Sequence, residues 1–191
     1  MKANSWTAIK ALSILTLLTG ILYPLFITGI SSIFFKHQAE GSLIISDNKV
    51  IGSELIGQKF DSAAFFWTRP SVTDYNPLPS GGSNLGPTSD KLKNLVEERK
   101  ANFLQENFLG TNESIPAEMV FSSASGLDPH ISPRGALLQV ERICKARNFT
   151  TTEKGKLLNI IEKQTEKPQF LILGETRINI LLLNLELEKM R

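Results

Sequence analysis

A glycine-rich stretch in the first half of the chain has the spacing of a phosphate-binding loop. Residues 80–88 read SGGSNLGPT, and Gly81 and Gly86 stand as far apart as the two glycines of a Walker A motif. Thr88 takes the place of the Mg²⁺-binding hydroxyl, but Pro87 replaces the lysine. Proline has no backbone N–H, and no lysine reaches the outer phosphates. The residues therefore favour a structural loop in which the glycines supply positive φ angles.

Asp128 and His130, in the segment SGLDPHISP, are the second group with acid–base potential. Zinc needs three or four ligands, and the one other histidine is His37. A Ser-His-Asp triad needs a nucleophile on a strained turn, and no such residue is identifiable. The sequence therefore favours a turn in which Asp128 accepts backbone hydrogen bonds. Arg69 is predicted either to pair with Asp74 or to bind an acidic group of a partner.

Composition excludes several classes of protein. The 191 residues carry a formal net charge of +2 and contain no long basic run, so a nucleic-acid partner is not expected. The single cysteine, Cys144, excludes an internal disulfide and a cysteine-rich zinc site. It lies on the apolar side of a predicted helix, which favours a role in core packing.

The element that decides the organisation of the chain is an apolar segment near the N-terminus. Residues 11–35 carry no charge and are bounded by Lys10 and Lys36. About 20 apolar residues are enough to span a membrane, whereas the apolar region of a signal peptide has ~7–15. The segment is too long for a signal peptide and ends in two phenylalanines, without a small-residue cleavage site. It predicts a retained transmembrane helix.

The basic residues that flank the span predict its orientation. Lys2 and Lys10 precede the span, and Lys36 and Lys49 follow it. The positive charge close to the span on its N-terminal side favours a cytoplasmic N-terminus. Of the 21 basic residues, 19 then lie beyond the span, against 19 acidic ones, so the outer part is formally neutral. The predicted organisation is a cytoplasmic N-terminus at residues 1–10, a transmembrane helix at 11–35 and an extracytoplasmic domain at 36–191.

Small residues recur every four positions along the span, which favours a face that packs against a partner helix. They are Thr16, Gly20, Pro24, Thr28 and Ser32. We call this set the small-residue stripe. Pro24 also removes one backbone hydrogen bond and is expected to kink the helix. The alternative is that such residues are merely tolerated, as in many membrane helices.

The remaining chain predicts one α+β domain, because strands, helices and strands follow one another in blocks. The expected strands are a hairpin at 42–57 around a turn at Asp47 and Asn48, a short strand at 117–123, and two runs at 169–188 around Gly174 and Glu175. Residues 61–88 and 124–133 are expected to be irregular but ordered.

A helix is predicted at 90–108, and one of its faces carries Leu92, Leu95, Val96, Arg99, Phe103 and Leu104. A second helix is predicted from Ser132, with an apolar face that includes Leu137 and Cys144. A third is predicted from Thr150, where Glu153 completes a capping box ahead of Leu157, Leu158 and Ile161.

Several long segments together resemble one family, the C subunit of the Kdp potassium-transporting ATPase. They are GSELIGQKF at 52–60, FFWTRPSVTDYNPLPSGGSNLGPTS at 65–89, SASGLDPHISPRGALLQVERICKAR at 123–147, GETRINILLLNLEL at 174–187, and YPLFITGI at 23–30 within the span. The resemblance covers nearly the whole chain. Its departures are small and include Thr68 in place of the usual serine and Arg134 in place of a small residue.

The resemblance implies a non-catalytic subunit of a high-affinity potassium importer in the inner membrane. Its implied partners are a channel-like subunit that carries potassium, a P-type ATPase subunit and a very small membrane subunit. The complex uses ATP, magnesium and potassium, and no cofactor is implied for this chain itself. The subunit is expected to stabilise the assembly and to act as a catalytic chaperone that raises the ATP affinity of the ATPase subunit.

For ATP, the resemblance implies a contact through the glycine-rich loop, at Ser80, Gly81, Gly82, Ser83 and Asn84. The predicted topology points to an indirect effect instead, because it puts the loop on the opposite side of the membrane from cytoplasmic ATP. The alternative function is a membrane-anchored nucleotide-binding module. The candidate partner contacts are the small-residue stripe together with Arg69, Asp128 and His130.

Overall fold

The computed structural model describes residues 2–46, 48–78 and 81–190. The chain divides into two compact units. The first unit runs to Ser53 and contains the apolar helix and a hairpin, and the second begins at Glu54. The arrangement agrees with the predicted class, an N-terminal apolar helix followed by an α+β domain.

The first unit begins with a nearly continuous helix. Helix α1 spans Lys2–Leu17, a π-helical turn spans Leu18–Leu22, and α2 spans Tyr23–Phe34. The helical segment Asn4–Phe34 is 31 residues long, and an 18-residue window within it has a mean hydropathy of 1.9, so it is long and apolar enough to cross a membrane. Its apolar side chains are exposed within this chain, as lipid-facing side chains would be.

The π-helical turn lies immediately before Pro24 and shows how the helix accommodates it. Proline cannot donate the hydrogen bond that would otherwise reach the carbonyl of Gly20. The N–H of Tyr23 donates to the carbonyl of Leu18, which is the wider i→i+5 pattern of a π turn. The disturbance expected from Pro24 therefore appears as one wide turn in the helix.

The rest of the first unit is short. Helix α3 spans Lys36–Ala39, and strands β1, Leu43–Ser46, and β2, Lys49–Ser53, form the predicted antiparallel hairpin with a bulge between Ile44 and Ile45. Asn48 has a φ of 58°, which suits a tight turn. Asp47, the other predicted turn residue, lies outside the described residues.

The second unit opens with irregular chain, as predicted, and then enters helix α4 at Asp90–Glu106. The Ser89 side chain caps this helix by accepting a hydrogen bond from the N–H of Leu92. Phe103 and Leu104 are buried, while the earlier members of the predicted face are half-buried. The helix therefore enters the core with its C-terminal half.

The strand expected at 117–123 is wrong. Ala117–Met119 forms a 3-10 turn that starts after Pro116, and the N–H of Val120 donates to the carbonyl of Ala117. Met119 and Val120 are both buried although they are adjacent, so the segment lacks the alternating burial of a strand. Within the irregular segment that follows, His130–Ile131 forms the short strand β3.

Three helices follow, and their caps agree with the sequence. Helix α5 spans Pro133–Leu137 after the Ser132 cap, α6 spans Val140–Arg147, and α7 spans Thr151–Lys163. Thr150 and Glu153 form the predicted capping box. The assignment of Leu137 to the apolar face of its helix is wrong, because its side chain is 48% exposed. In α7, Leu157 and Ile161 are buried, whereas Leu158 is 40% exposed.

The pair of strands expected at 169–188 is also wrong. The first run contains only an isolated bridge between Gln169 and Leu173. The second gives the short strand β4, Ile178–Asn179, paired with β3, and then helix α8, Ile180–Glu188. The Asn179 side chain caps α8 by accepting from two backbone N–H groups. A continuous apolar run has no period that separates a buried helix from a buried strand, which is why α8 was missed.

One apolar core holds the second unit together. It draws on α4 through α8 and on the irregular segment that contains Phe66. Its buried members are Phe66, Phe103, Met119, Ile131, Ala136, Val140, Ile143, Cys144, Leu157, Ile161, Ile178, Ile180, Leu183 and Leu187. The burial of Cys144 confirms its predicted place in the core and also raises the pKa of its thiol.

Candidate functional site

Arg69, Asp128 and His130 come together in the second unit as the carboxylate cluster. The Arg69 guanidinium donates from Nη1 to Asp128 Oδ2 at 2.8 Å. The other carboxylate oxygen, Oδ1, accepts from the backbone N–H of His130 at 3.0 Å and lies 3.2 Å from its ring Nδ1. Asp128 thus accepts a backbone hydrogen bond, as the sequence predicts.

The surroundings of Asp128 keep its carboxylate ionised. Burial by itself would raise its pKa, but the hydrogen bonds from His130 and the charge of Arg69 outweigh burial and lower the pKa to about 2. Such a group is a poor general acid or base at neutral pH. The cluster is therefore suited to holding segments of chain together.

Two glycines allow these segments to approach closely. The N–H of Gly57 donates to the carbonyl of Leu127 at 2.7 Å, and a β-carbon on Gly57 would lie 2.9 Å from the carbonyl oxygen of Asp128. Gly126 has a φ of +70°, and a β-carbon there would meet Thr73 Oγ1 at 2.8 Å. Both contacts require glycine for steric reasons.

Arg69 does not pair with Asp74, so that alternative is wrong. Asp74 contacts Lys59 instead, at 2.9 Å. The Tyr75 hydroxyl donates to the carbonyl of Arg69 at 2.5 Å and also contacts Thr68, and burial raises the pKa of Tyr75. This turn fixes the backbone from which the Arg69 side chain reaches Asp128.

Two side-chain amides hold the aromatic segment next to this turn. The N–H of Phe66 donates to Asn184 Oδ1 at 2.8 Å, and Asn184 Nδ2 donates to the Phe66 carbonyl at 3.0 Å. Gln139 makes the same pair with Trp67, at 2.7 Å and 3.2 Å. We call these four hydrogen bonds the amide clamp. Sequence reasoning missed both amides, although Asn184 stands out as a polar residue within an apolar run.

A buried cation supports the same segment. Arg142 is 2% exposed and donates to the carbonyls of Ser62 and Ala63 and to the side chains of Asn107 and Gln139. Its guanidinium lies 4.0 Å from the centroid of the Trp67 ring. Burial lowers the pKa of Arg142 to about 10, so the side chain remains charged at neutral pH.

The glycine-rich loop differs from a phosphate-binding loop in its backbone. Gly81, Gly82 and Gly86 do not adopt positive φ, which corrects the expectation that they would; the positive φ in this segment belongs to Asn84, at 51°. The described part of residues 54–89 contains no strand that could feed the loop. Ser80 lies outside the described residues.

Ser83 lines a cavity of about 280 Å³ together with Lys91, Arg99, Ser71 and Ser122. Arg99 donates to Ser122 Oγ at 3.1 Å and to the carbonyl of Val120 at 3.0 Å. A larger cavity, of about 690 Å³, shares Ser71 and Arg99 with the first. Both signs of charge line it, through Lys59, Asp61, Asp74 and Glu106. Within residues 2–46, 48–78 and 81–190, no group of three or more metal-ligating side chains forms.

The small-residue stripe lies on the apolar helix of the first unit. A β-carbon on Gly20 would lie 3.9 Å from Thr16 Cγ2, so these two residues share a face. Thr16, Gly20, Pro24, Thr28 and Ser32 are all exposed within this chain.

Comparison with known proteins gives consistent matches along the chain. The family described as "K+-transporting ATPase, c chain" matches residues 5–189. Proteins named "Potassium-transporting ATPase KdpC subunit" are similar throughout. One from Leptospira interrogans is 46% identical over 95% of this chain and 91% of its own length, and one from Geotalea uraniireducens is 45% identical over 96% of both. Another, from Rhodopseudomonas palustris, is 43% identical over 95% of this chain and 94% of its own length.

These matches cover both units, including the apolar helix, the carboxylate cluster and the amide clamp. On their extent and identity, the chain belongs to the KdpC family, the c chain of the K⁺-transporting ATPase.

Proposed function

We propose that this chain is a non-catalytic accessory subunit of an ATP-driven potassium importer, and that it stabilises the assembled complex. The observation that carries the proposal is that the side chains with acid–base potential bind to one another inside the second unit and so stabilise its fold. Asp128 is fully engaged by Arg69 and His130, and its low pKa suits a structural ion pair. The proposed partners are the channel-like subunit, the P-type ATPase subunit and the very small membrane subunit of such a complex.

The proposed topology is a single pass through the inner membrane. Residues 1–10 would be cytoplasmic, 11–35 would span the bilayer, and 36–191 would lie outside the cytoplasm. The distribution of lysines around the span supports this orientation. A 31-residue apolar helix with exposed side chains supports the span itself. The stripe of small residues would then pack against a transmembrane helix of another subunit.

The chain would act on ATP use indirectly, as a catalytic chaperone that raises the ATP affinity of the ATPase subunit. In the proposed topology, the span and the outer domain are the routes by which it influences the cytoplasmic reaction. Differential binding to one conformation of the complex is enough to shift the affinity for a ligand at a distant site.

A second candidate function is a membrane-anchored nucleotide-binding module. One observation favours it: Ser83 in the glycine-rich loop shares a cavity with the cations Lys91 and Arg99. These charges and hydroxyls could face an anion. The absence of positive φ at Gly81 and Gly82 weighs against a Walker-type cradle.

Labelling of the loop tests the topology. The Ser83→Cys variant, in a Cys144→Ser background, is treated in intact cells with a membrane-impermeant maleimide. We expect labelling of intact cells, because the loop is exposed and would be extracytoplasmic. Labelling only after the membrane is opened would place the loop in the cytoplasm and reject the proposed orientation. The Cys144→Ser chain without the new cysteine measures the background.

Calorimetry separates the two functions. The full chain in detergent is titrated with ATP and magnesium, beside the Gly82→Val and Ser83→Ala variants. An accessory subunit that acts indirectly gives no saturable heat in any of the three. Saturable binding that both substitutions weaken would instead support the nucleotide-binding module.

A further inference from the structure

Four consecutive large apolar side chains are exposed at one turn of the second unit, and we call them the apolar turn. They are Phe170, Leu171, Ile172 and Leu173, and the exposed fractions of these residues are 85%, 78%, 80% and 56% in that order. Isolated exposed apolar residues are common on proteins, whereas a contiguous exposed group marks a surface that is covered in the working state. The two cavities described above are lined by other residues.

Backbone hydrogen bonds fix the shape of the apolar turn. Gln169 and Leu173 exchange two backbone bonds of 2.9 Å each, and the N–H of Ile172 donates to the carbonyl of Gln169 at 3.2 Å. Below them, Glu166 and Arg177 exchange two backbone bonds of 2.8 and 3.1 Å, and their side chains form an ion pair at 2.9 Å. The turn is therefore a short braced projection.

The two residues at the tip adopt a backbone conformation that bulky side chains rarely take. Phe170 has a φ of 53° and Leu171 a φ of 66°. Turns of this kind are normally made with glycine, asparagine or aspartate, because a large side chain at positive φ costs about 1–2 kcal/mol. Strain of this kind persists at sites where the presented side chains serve a purpose.

The charges around the apolar turn argue against a lipid surface as its occupant. Three basic residues, Lys163, Lys167 and Arg177, are balanced by Glu162, Glu166 and Glu175 within residues 162–177. Loops and helices that bind anionic lipid combine apolar residues with an excess of lysine and arginine. A turn that is already braced also lowers the entropic cost of docking into a shaped protein cleft.

We propose that the apolar turn docks into an apolar cleft on another subunit of the potassium-transporting ATPase, and so fixes the second unit to the complex. The inference rests on the proposed function, which supplies the partner. Phe170 and Ile172 would be the anchors, since few buried large side chains carry most of the binding energy of such a contact. The ion pair of Glu166 and Arg177 would form part of its polar rim.

Co-purification of the whole complex tests the proposal. The full chain is expressed with the other subunits, the complex is extracted in detergent, and recovery of this chain through a tag on another subunit is measured. The variant Phe170→Ser with Ile172→Ser should lower recovery roughly tenfold or more after a high-detergent wash. The matched control is Leu78→Ser, which changes an isolated residue that is 76% exposed and should leave recovery unchanged.

Each outcome distinguishes this proposal from the proposed function. If only the variant with Phe170→Ser and Ile172→Ser loses recovery, and its thermal unfolding transition is unchanged, the apolar turn is supported as the contact. Equal recovery of the wild type and this variant overturns the proposed docking of the apolar turn, but it leaves the accessory function in place. Failure of the wild-type chain itself to co-purify overturns both.

A crosslinking experiment distinguishes a protein cleft from the bilayer. Leu171→p-benzoylphenylalanine is introduced into the full chain, and the assembled complex is irradiated in its membrane. A crosslink whose mass and peptides identify another subunit of the ATPase supports the proposal. Crosslinks to lipid alone, or no crosslink to a polypeptide, overturn it.

Discussion

Asn184 and Phe66 lie 118 residues apart in the sequence, and the side chain of the first satisfies both backbone polar groups of the second. The two hydrogen bonds, of 2.8 and 3.0 Å, tie helix α8 to the irregular aromatic segment. Because Asn184 is 2% exposed and Phe66 is fully buried, water cannot replace either bond. The segment is thus ordered by a distant helix.

The Asn184→Leu variant should therefore be strongly destabilised. Leucine has the same branching at Cγ but no polar atoms, so it leaves the N–H and C=O of Phe66 buried without partners, at about 1–3 kcal/mol for each group. We expect the free energy of unfolding to fall by about 2–5 kcal/mol in urea denaturation of the full chain. The control, Asn112→Leu, changes an exposed residue and should stay within about 0.5 kcal/mol of wild type. Equal stability of the two variants would contradict the amide clamp.

The close approach at Gly57 predicts opposite signs for two glycine substitutions. Gly57→Ala puts a β-carbon 2.9 Å from the carbonyl oxygen of Asp128 and should cost about 1–3 kcal/mol of stability. Gly155→Ala places one in open space on helix α7 and should add about 0.5–1 kcal/mol. Thermal unfolding of both variants measures the difference. A neutral Gly57→Ala would show that the two segments are free to separate.

The lowered pKa of Asp128 predicts a specific dependence of stability on acid. The pKa falls from 3.8 to about 2 in the folded state, so the ion pair stabilises the fold above pH 4, and this contribution is lost as the pH falls towards 2. Because the carboxylate is partly exposed, we expect about 1–2 kcal/mol. Asp128→Asn should be less stable than wild type by this amount at pH 7 and should match it near pH 2.

Urea denaturation at pH 7 and near pH 2 provides the measurement for this pair. Asp61→Asn serves as the control, since it removes an exposed carboxylate elsewhere in the second unit. A gap between Asp128→Asn and wild type that persists undiminished at low pH would sink the ion-pair explanation.

The stripe on the apolar helix predicts a sensitivity to side-chain size. Gly20→Ile together with Thr28→Ile adds bulk where close helix contact requires short side chains, and should lower recovery of the chain with its complex roughly tenfold. Leu12→Ile with Leu25→Ile leaves the stripe intact and keeps the side-chain volume, so recovery should be unchanged. Affinity purification from detergent compares the two. Equal recovery would mean that these small residues are merely tolerated in the helix.

Local signals in the sequence predicted the features that depend on neighbouring residues. The starts of two helices were predicted from Ser132 and from the pair Thr150 and Glu153, because a cap depends only on residues within one turn of the helix. The hairpin of the first unit followed from alternation and a turn in the same way. In each case the interaction that stabilises the element lies within a few residues of it.

Features that depend on distant partners were not predictable in this way. Helix α8 was read as a strand because Leu181 and Leu183 are buried together with Ile180, which removes any periodic signal. The partner of Arg69 is 59 residues away, so the nearer Asp74 was considered instead. Asn184 stands out within an apolar run, but no residue near it or near Gln139 in the sequence indicates which distant backbone groups the two amides bind.

The dependence of Phe66 on helix α8 has a consequence for the order of events during synthesis. The chain emerges from the ribosome from its N-terminal end, so the apolar helix and the aromatic segment are made long before residues 180–188. Until those residues arrive, Phe66 lacks its hydrogen-bond partner and the core lacks Ile180, Leu183 and Leu187. The second unit must therefore complete its folding late, after the apolar helix has already been made. A nascent chain halted before α8 would have an incomplete core and an incomplete amide clamp.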